Sequence, residues 1–263
     1  MKINYFDTHS HIQEKEFDSD REKVIQRMRD AKVGTFVVGV DYLSSKRAVE
    51  IAEAHPNIYA IVGIHPTDNK TERFDTEAYA KLVENKKVVG IGECGLQYFR
   101  VKEHELKEEK KRQRKIFHEQ IEFAHNSNLP LMLHCRPSEG TMDSYEDVLE
   151  ELQGYDGLRG NVHFFVGNIA IAERFIARGF TLSFTGVITF TGDYDEVIRS
   201  IPLDMILSET DCPYVTPVPY RGERNEPIRV IEVVKRIAEI RGEDLKKVKE
   251  TLISNAMRVF DVE

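Results

Sequence analysis

With 263 residues, 41% of them hydrophobic and 31% charged, the chain has the composition of a water-soluble globular protein. The 45 acidic against 37 basic residues leave a net charge of −8, which argues against the broad basic surface of a protein that coats long nucleic acid, so any grip on phosphate must be local. No run of 18 apolar residues occurs and the opening MKINYFDTHSH lacks a secretory apolar core; no membrane span is expected, and the cytoplasm is the expected location.

Strand-like apolar runs recur along the chain, at 3–7, 35–40, 58–64, 88–93, 131–134, 161–165, 181–184 and 205–208. Amphipathic helical stretches alternate with them. Asp18 is a candidate cap for the first, where Val24, Ile25 and Met28 recur at helical spacing. Further helices are expected at 44–55, 76–84, 110–127, 144–153, 169–178 and 193–200, then at 227–241, which opens on a proline, and an additional C-terminal one at 243–260. Basic residues within 107–115 are mixed with Glu108 and Glu109, as on a solvated helix start.

Short strands in strict alternation with helices imply a parallel sheet covered by helices. A doubly wound open sheet is the competing architecture. Eight strand–helix units in one undivided stretch, 1–263, favour a single (β/α)8 TIM barrel.

In such a barrel every strand's C-terminal end faces the same side. Asp7, His9 and His11 follow the first strand and His65 follows the third. Glu93 ends the fourth and His134 the fifth, His163 lies at the sixth, and Asp211 follows the eighth. Residues 200 positions apart therefore meet in one pocket. In His9-Ser10-His11 the alternate side chains share a face in extended backbone, so both imidazoles can serve one metal ion. Glu93, between Gly92 and Gly95, has two oxygens and can bridge two cations, while the glycines allow close backbone approach and an abrupt strand exit. His134 and His163 are nitrogen donors that zinc, manganese and iron accept. Asp211 can ligate metal and accept a proton from water; a turn cap is its plainer reading. His55, His104, His118 and His125 fall on helices and are expected to pack or face solvent.

An odd cysteine count, with no CxxC pair, points to reduced packing thiols. Cys94, Cys135 and Cys212 each follow a candidate ligand and are expected to face away from it.

The motifs FDTHSHI (6–12), GIHP (63–66), GIGECGL (90–96), LPLMLHCR (129–136), NVHFFVG (161–167), SFTGVITF (183–190), SETDCPYVTP (208–217), RGERNEP (221–227) and NAMRVF (255–260) run through the whole chain in order. Together the sequence resembles the TatD-type metal-dependent deoxyribonucleases of the amidohydrolase-like barrels. The resemblance implies two divalent ions (Mg2+, Mn2+ or Zn2+), one held by His9, His11, Glu93 and Asp211, the other by Glu93, His134 and His163. It also implies nucleic acid as substrate, with single-stranded DNA ends trimmed by phosphodiester hydrolysis, in which Asp211 and Glu93 are catalytic. Arg136, Arg221 and Asn225 are candidates for holding substrate phosphates, because a guanidinium fork matches phosphate geometry; for the two arginines an ion pair spanning loops, with Glu226 as a partner, is the competing reading. Tyr98 and Phe99 are candidates for stacking on a base, with aromatic packing as the equal alternative. His65 is placed at the pocket edge, as a substrate contact or a group that supports a ligand.

Three departures bear on substrate choice. The family commonly carries Asp after GL where this chain has Gln97; the histidine often found after HP is Thr67; and HCFSG becomes HFFVG, through Phe164 and Val166. Two other readings stay open: a barrel hydrolase of esters or amides, such as an aminoacyl-tRNA esterase, lactonase or deaminase, and a metal-binding protein without catalysis. The lysine-bridged members of the wider group are disfavoured, since Lys86 and Lys87 precede the fourth strand and Glu93 ends it.

Overall fold

The apolar runs become eight short strands, each followed by a helix, in a computed structural model that describes residues 3–67 and 71–262. In chain order these are β1 (Tyr5–Ser10), α1 (Arg21–Ala31), β2 (Val33–Val38), α2 (Tyr42–Ala54), β3 (Ile58–Val62), α3 (Thr76–Val83), β4 (Val88–Gln97) and α4 (Glu103–Ser127). The second half continues with β5 (Leu131–Arg136), α5 (Asp143–Glu151), β6 (Gly160–Val162), α6 (Ile169–Ala177), β7 (Phe180–Phe184), α7 (Asp195–Ser200), β8 (Ile206–Ser208), α8 (Val230–Arg241) and α9 (Leu245–Val259). The ends of the expected 1–263 unit, residues 1–2 and 263, lie outside the described residues.

The strands lie side by side in sequence order, all parallel. A bridge between Ser10 and Cys212 brings the segment after β8 back to β1, and Thr8 Oγ1 donates to the Ser208 carbonyl at 3.0 Å. The result is the nearly closed (β/α)8 TIM barrel that the alternation predicts, with α9 as the additional C-terminal helix.

The packing is in two shells. One cluster lies between strands and helices, with Phe17, Tyr79, Phe117, Tyr145 and Phe175 among its buried side chains. A second contains Phe6, Phe36, Ile61, Val89, Met132 and Leu207 from the strands, together with Val259, Phe260 and Val262 from the C-terminal segment. The rings of Phe36 and Phe260 are 4.6 Å apart. The last helix thus packs its end against strand side chains, which commits the opposite strand ends to the site.

Several boundaries move, each for a physical reason. β1 runs to Ser10, because buried Thr8 and Ser10 find partners on neighbouring strands, and Asp7 finds one in Thr210 just after β8, so none needs an apolar pattern. β4 continues past Glu93 to Gln97, so no abrupt exit occurs; its register against β5 slips between Ile91 and Cys94. The close approach is there: a Cβ on Gly92 would lie 2.5 Å from the Met132 carbonyl oxygen, and one on Gly95 2.2 Å from that of His134. Both residues have positive φ, +148° and +138°, which suits glycine. α4 begins at Glu103, so the basic stretch lies inside it. Asp18 does not cap α1; that place belongs to Asp20, and Asp18 instead accepts from Arg21 at 2.6 Å. Residues 227–229 form a separate 3-10 turn before α8.

Candidate metal centre

The C-terminal strand ends deliver the acids and histidines to a cavity of about 460 Å³, lined among others by His11, His65, Glu93, His134, His163 and Asp211. Glu93 stands at its centre, 4% exposed. Its Oε2 lies 3.2 Å from His9 Nε2 and 3.6 Å from His11 Nε2. Its Oε1 lies 2.7 Å from His134 Nδ1, 2.8 Å from His163 Nε2 and 3.6 Å from His65 Nε2. Asp211 Oδ1 is 3.4 Å from His11 Nε2 and 3.9 Å from His9 Nε2. The two carboxylate oxygens of Glu93 therefore address two different sets of imidazoles.

Three groups have ligand atoms within 4.8 Å of one another: His9, His11 and Glu93; His9, His163 and Asp211; and His65, Glu93 and His134. His163 lies between the two sets, its ring stacked on His9 at 4.0 Å. His65 reaches deeper than the pocket edge expected of it, into ligand range of Glu93 and His134.

The donor chemistry fits cations. His11 Nδ1 lies 2.8 Å from the Val38 carbonyl oxygen, which only accepts, so Nδ1 carries a proton and Nε2 is the nitrogen turned to the carboxylates. His163 Nδ1 lies 3.3 Å from Glu209 Oε1, and its Nε2 is the nitrogen turned to Glu93, at 2.8 Å. Imidazole nitrogens gathered on a buried carboxylate call for positive charge between them, which protons or a metal ion can supply.

Burial raises the Glu93 carboxyl, yet the charges of His163, His65 and His9 outweigh it and hold the group well below the usual range. Burial likewise raises Asp211, and the His11 bond with the charges of His9, His163 and His11 brings it below its ordinary value. Burial lowers His11, but the bond to Asp211 and the charges of Glu93 and Asp211 lift it to about 9. For His134, burial and then the charge of His65 prevail, and it falls to about 4. Both carboxylates are thus kept ionised, and positive charge is drawn to the site.

The loop after β8 is built to present Asp211. Asp211 N donates to His9 O at 2.9 Å, and its φ is +53°, a conformation that aspartate tolerates. Asp7 accepts from Thr210 N at 2.8 Å and from Thr210 Oγ1 at 2.6 Å. Asn225, fully buried, donates from Nδ2 to the carbonyls of Thr210 at 3.0 Å and Tyr214 at 2.6 Å. That corrects its expected phosphate contact: both amide hydrogens serve the loop. Arg221 is exposed, does not line the cavity, donates to Thr216 O at 2.7 Å and lies over Phe190 at 4.1 Å. Arg136 does line the cavity, over the rings of Phe99 at 4.9 Å and Phe164 at 5.9 Å. Tyr98 is buried and donates to Asp147 at 2.9 Å, so it stacks on nothing in the pocket. The three cysteines are free and buried in the main core cluster, as expected.

The family model of the TatD related DNases matches residues 6–261. The chain belongs to this family. An uncharacterized metal-dependent hydrolase of Bacillus subtilis, YabD, is 38% identical over 264 residues, covering 98% of this chain and 99% of the relative. The 3'-5' ssDNA/RNA exonuclease TatD of Pantoea vagans is 32% identical over 269 residues, covering 97% and 98%. The crystal structure of the TatD homolog YJJV of Escherichia coli K12 superposes with a TM-score of 0.88 at 28% identity, over all of both chains. This TatD-family chain is accordingly a metal-dependent hydrolase, and its His, Glu and Asp cluster is suited to binding metal.

Sequence reasoning on this TatD barrel missed Glu209 and Gln97 as partners of the metal-site histidines. Glu209 is fully buried and accepts from Ser183 Oγ at 2.6 Å and from Phe164 N at 2.8 Å, with its Oε1 facing His163. The only signal was adjacency: Glu209 stands two residues before Asp211 in SETD, at the end of a buried strand. Among the described residues no helix is long and apolar enough to cross a membrane.

Proposed function

We propose that this protein is a two-ion phosphodiesterase that trims single-stranded nucleic acid ends, DNA foremost, with Glu93 bridging the ions. The observation that carries the reading is the split of Glu93: Oε2 turned to His9 and His11, Oε1 to His134 and His163. His9, His11 and Asp211 would complete one ion's set, and His134 with His163 the other's. Divalent ions held there (Mg2+, Mn2+ or Zn2+) would lower the pKa of a water and neutralise charge gathering on phosphoryl oxygens. Asp211, kept ionised at the cavity wall, accepts the proton.

The chain's own residues supply the rest. Arg136 offers a guanidinium fork to a phosphate, and Phe99 and Phe164 beside it offer ring faces to a base. Tyr214, 57% exposed, lines the same cavity. His65 is a further ligand or substrate contact, and Arg221 over Phe190 is a phosphate contact beyond the cavity. A chain of net charge −8 gains most from such local contacts with a strand end, and less from long duplex. The names of its exonuclease relatives favour the same substrate. Three buried thiols without a disulfide suit the cytoplasm as its place of work.

The test is digestion of end-labelled single-stranded oligonucleotides by metal-stripped protein to which Mg2+, Mn2+ or Zn2+ is restored, with Glu93→Ala and Asp211→Asn alongside. The reading predicts metal-dependent laddering from one end that both substitutions abolish. A folded, metal-loaded protein that cleaves an ester or amide panel and leaves every oligonucleotide intact would overturn it.

A further inference from the structure

The side chain that follows the family's GL motif is neutral here, and its surroundings fix which way it points. Gln97 ends β4, where Gln113 of α4 grips its backbone from both sides. Gln97 N donates to Gln113 Oε1 at 2.8 Å, and Gln113 Nε2 donates back to Gln97 O at 2.9 Å. Gln113 is 1% exposed, so the clamp belongs to the core and not to the solvent edge. From that anchored backbone the side-chain amide spans two partners. Its Nε2 donates to the Phe99 carbonyl at 3.2 Å, and its Oε1 lies 2.8 Å from His134 Nε2. The orientation is not arbitrary. Turning the amide over would set two oxygens against each other at Phe99, because a carbonyl oxygen only accepts.

We propose that Gln97 is the positioning residue that commits His134 to ligation through Nδ1. An amide oxygen accepts and never donates, so His134 carries its proton on Nε2, toward Gln97. The Nδ1 lone pair then faces inward, where Glu93 Oε1 lies at 2.7 Å and His163 Nε2 at 3.1 Å. The opposite tautomer would donate from Nδ1 to Glu93 and consume the lone pair that a metal ion needs. It would also leave two lone pairs facing each other at Gln97. The choice between these tautomers is therefore made outside the ligand set, by one neutral side chain held from α4. A carboxylate at this position would impose the same tautomer and also push electron density toward the imidazole. The amide imposes it without the charge, so the ion on the His134 side is held less tightly here than an acid would hold it, and exchanges more readily.

The inference rests on the reading of His134 as a ligand, and its test uses no nucleic acid. Metal-stripped wild type, Gln97→Leu and Gln97→Glu would be compared by side-chain nitrogen NMR of the histidines at neutral pH and by calorimetric titration with Mn2+ or Zn2+. Thermal melts would establish that each is folded. Wild type is expected to show His134 protonated at Nε2. Gln97→Leu, similar in size but unable to accept, should move the proton toward Nδ1 and weaken the second ion by about 10- to 100-fold. Gln97→Glu should keep the wild-type tautomer and bind that ion more tightly than wild type. Unchanged tautomer and affinity in Gln97→Leu would overturn the proposal, as would a Gln97→Glu protein that binds no better than Gln97→Leu. Should Gln97→Leu fold poorly, the gain in affinity of Gln97→Glu decides alone. Loss of oligonucleotide cleavage, with these binding results in place, counts against the nuclease reading and not against Gln97.

Discussion

Arg136 is the cationic side chain best placed to meet a substrate in the cavity, and it lies between two ring faces instead of in an ion pair. Glu226, an acid of the loop after β8, is engaged elsewhere, by Arg27 at 2.7 Å and Arg224 at 3.2 Å. A guanidinium held over aromatic faces keeps its hydrogen-bond donors for a phosphate. Replacing Arg136 with Ala should raise KM for a single-stranded oligonucleotide about tenfold, the scale of one lost charge-assisted hydrogen bond, and leave metal affinity unchanged. Steady-state kinetics beside a metal titration separate the two effects; a fall in metal binding would assign Arg136 to the metal centre instead. The residues that meet at Glu93 could be anticipated in the sequence because each has a type and a place, a strand end, that suit metal. Glu209 and Gln97 could not, because a residue that acts through another carries no spacing signature. Asn225 misled for the opposite reason: an amide near a loop arginine reads as a phosphate contact, and only burial shows it occupied by Thr210 and Tyr214.

At the scale of the element, β4 carries the centre, and its glycines decide how close β5 can come. Gly92 and Gly95 bracket Glu93, and a Cβ on Gly95 would meet the carbonyl oxygen of His134 itself. Substituting Gly95 with Ala must push β5 away or bend β4, and both movements separate Glu93 from His134. The expected cost is about 1–3 kcal/mol of stability, the range for overpacked sites, with weakened metal binding. Chemical denaturation and a metal titration measure both; a Gly95→Ala protein as stable and as metal-competent as wild type would show that the strand spacing is not critical. The alternation of strands and helices was legible from periodicity, but the strand ends at the site were not. The end of β1 is polar, and the buried Thr8 and Ser10 are satisfied by Ser208 and Phe36 carbonyls that only the folded barrel supplies. The early turns of α4 expose charged residues with little apolar stripe, so its start at Glu103 left no periodic trace.

On the scale of the whole molecule, barrel closure and metal site are one construction. The contact that closes β8 onto β1, Asp211 N to His9 O at 2.9 Å and His11 N to Cys212 O at 2.8 Å, is also what sets Asp211 beside the two histidines. At β4 and β5, the pairing of Gly95 with His134 brings the second set to the same carboxylate. The fold therefore positions two ligand sets on either side of Glu93, and the central claim is that each holds an ion. Its most direct test is to count ions. Metal-stripped protein titrated with Mn2+ should take up two ions per chain, with an electron paramagnetic resonance signal showing that the pair is spin-coupled. Glu93→Ala should lose that coupling and at least one ion. A wild-type protein that saturates at one uncoupled ion, or a Glu93→Ala protein that still holds a coupled pair, would contradict the account.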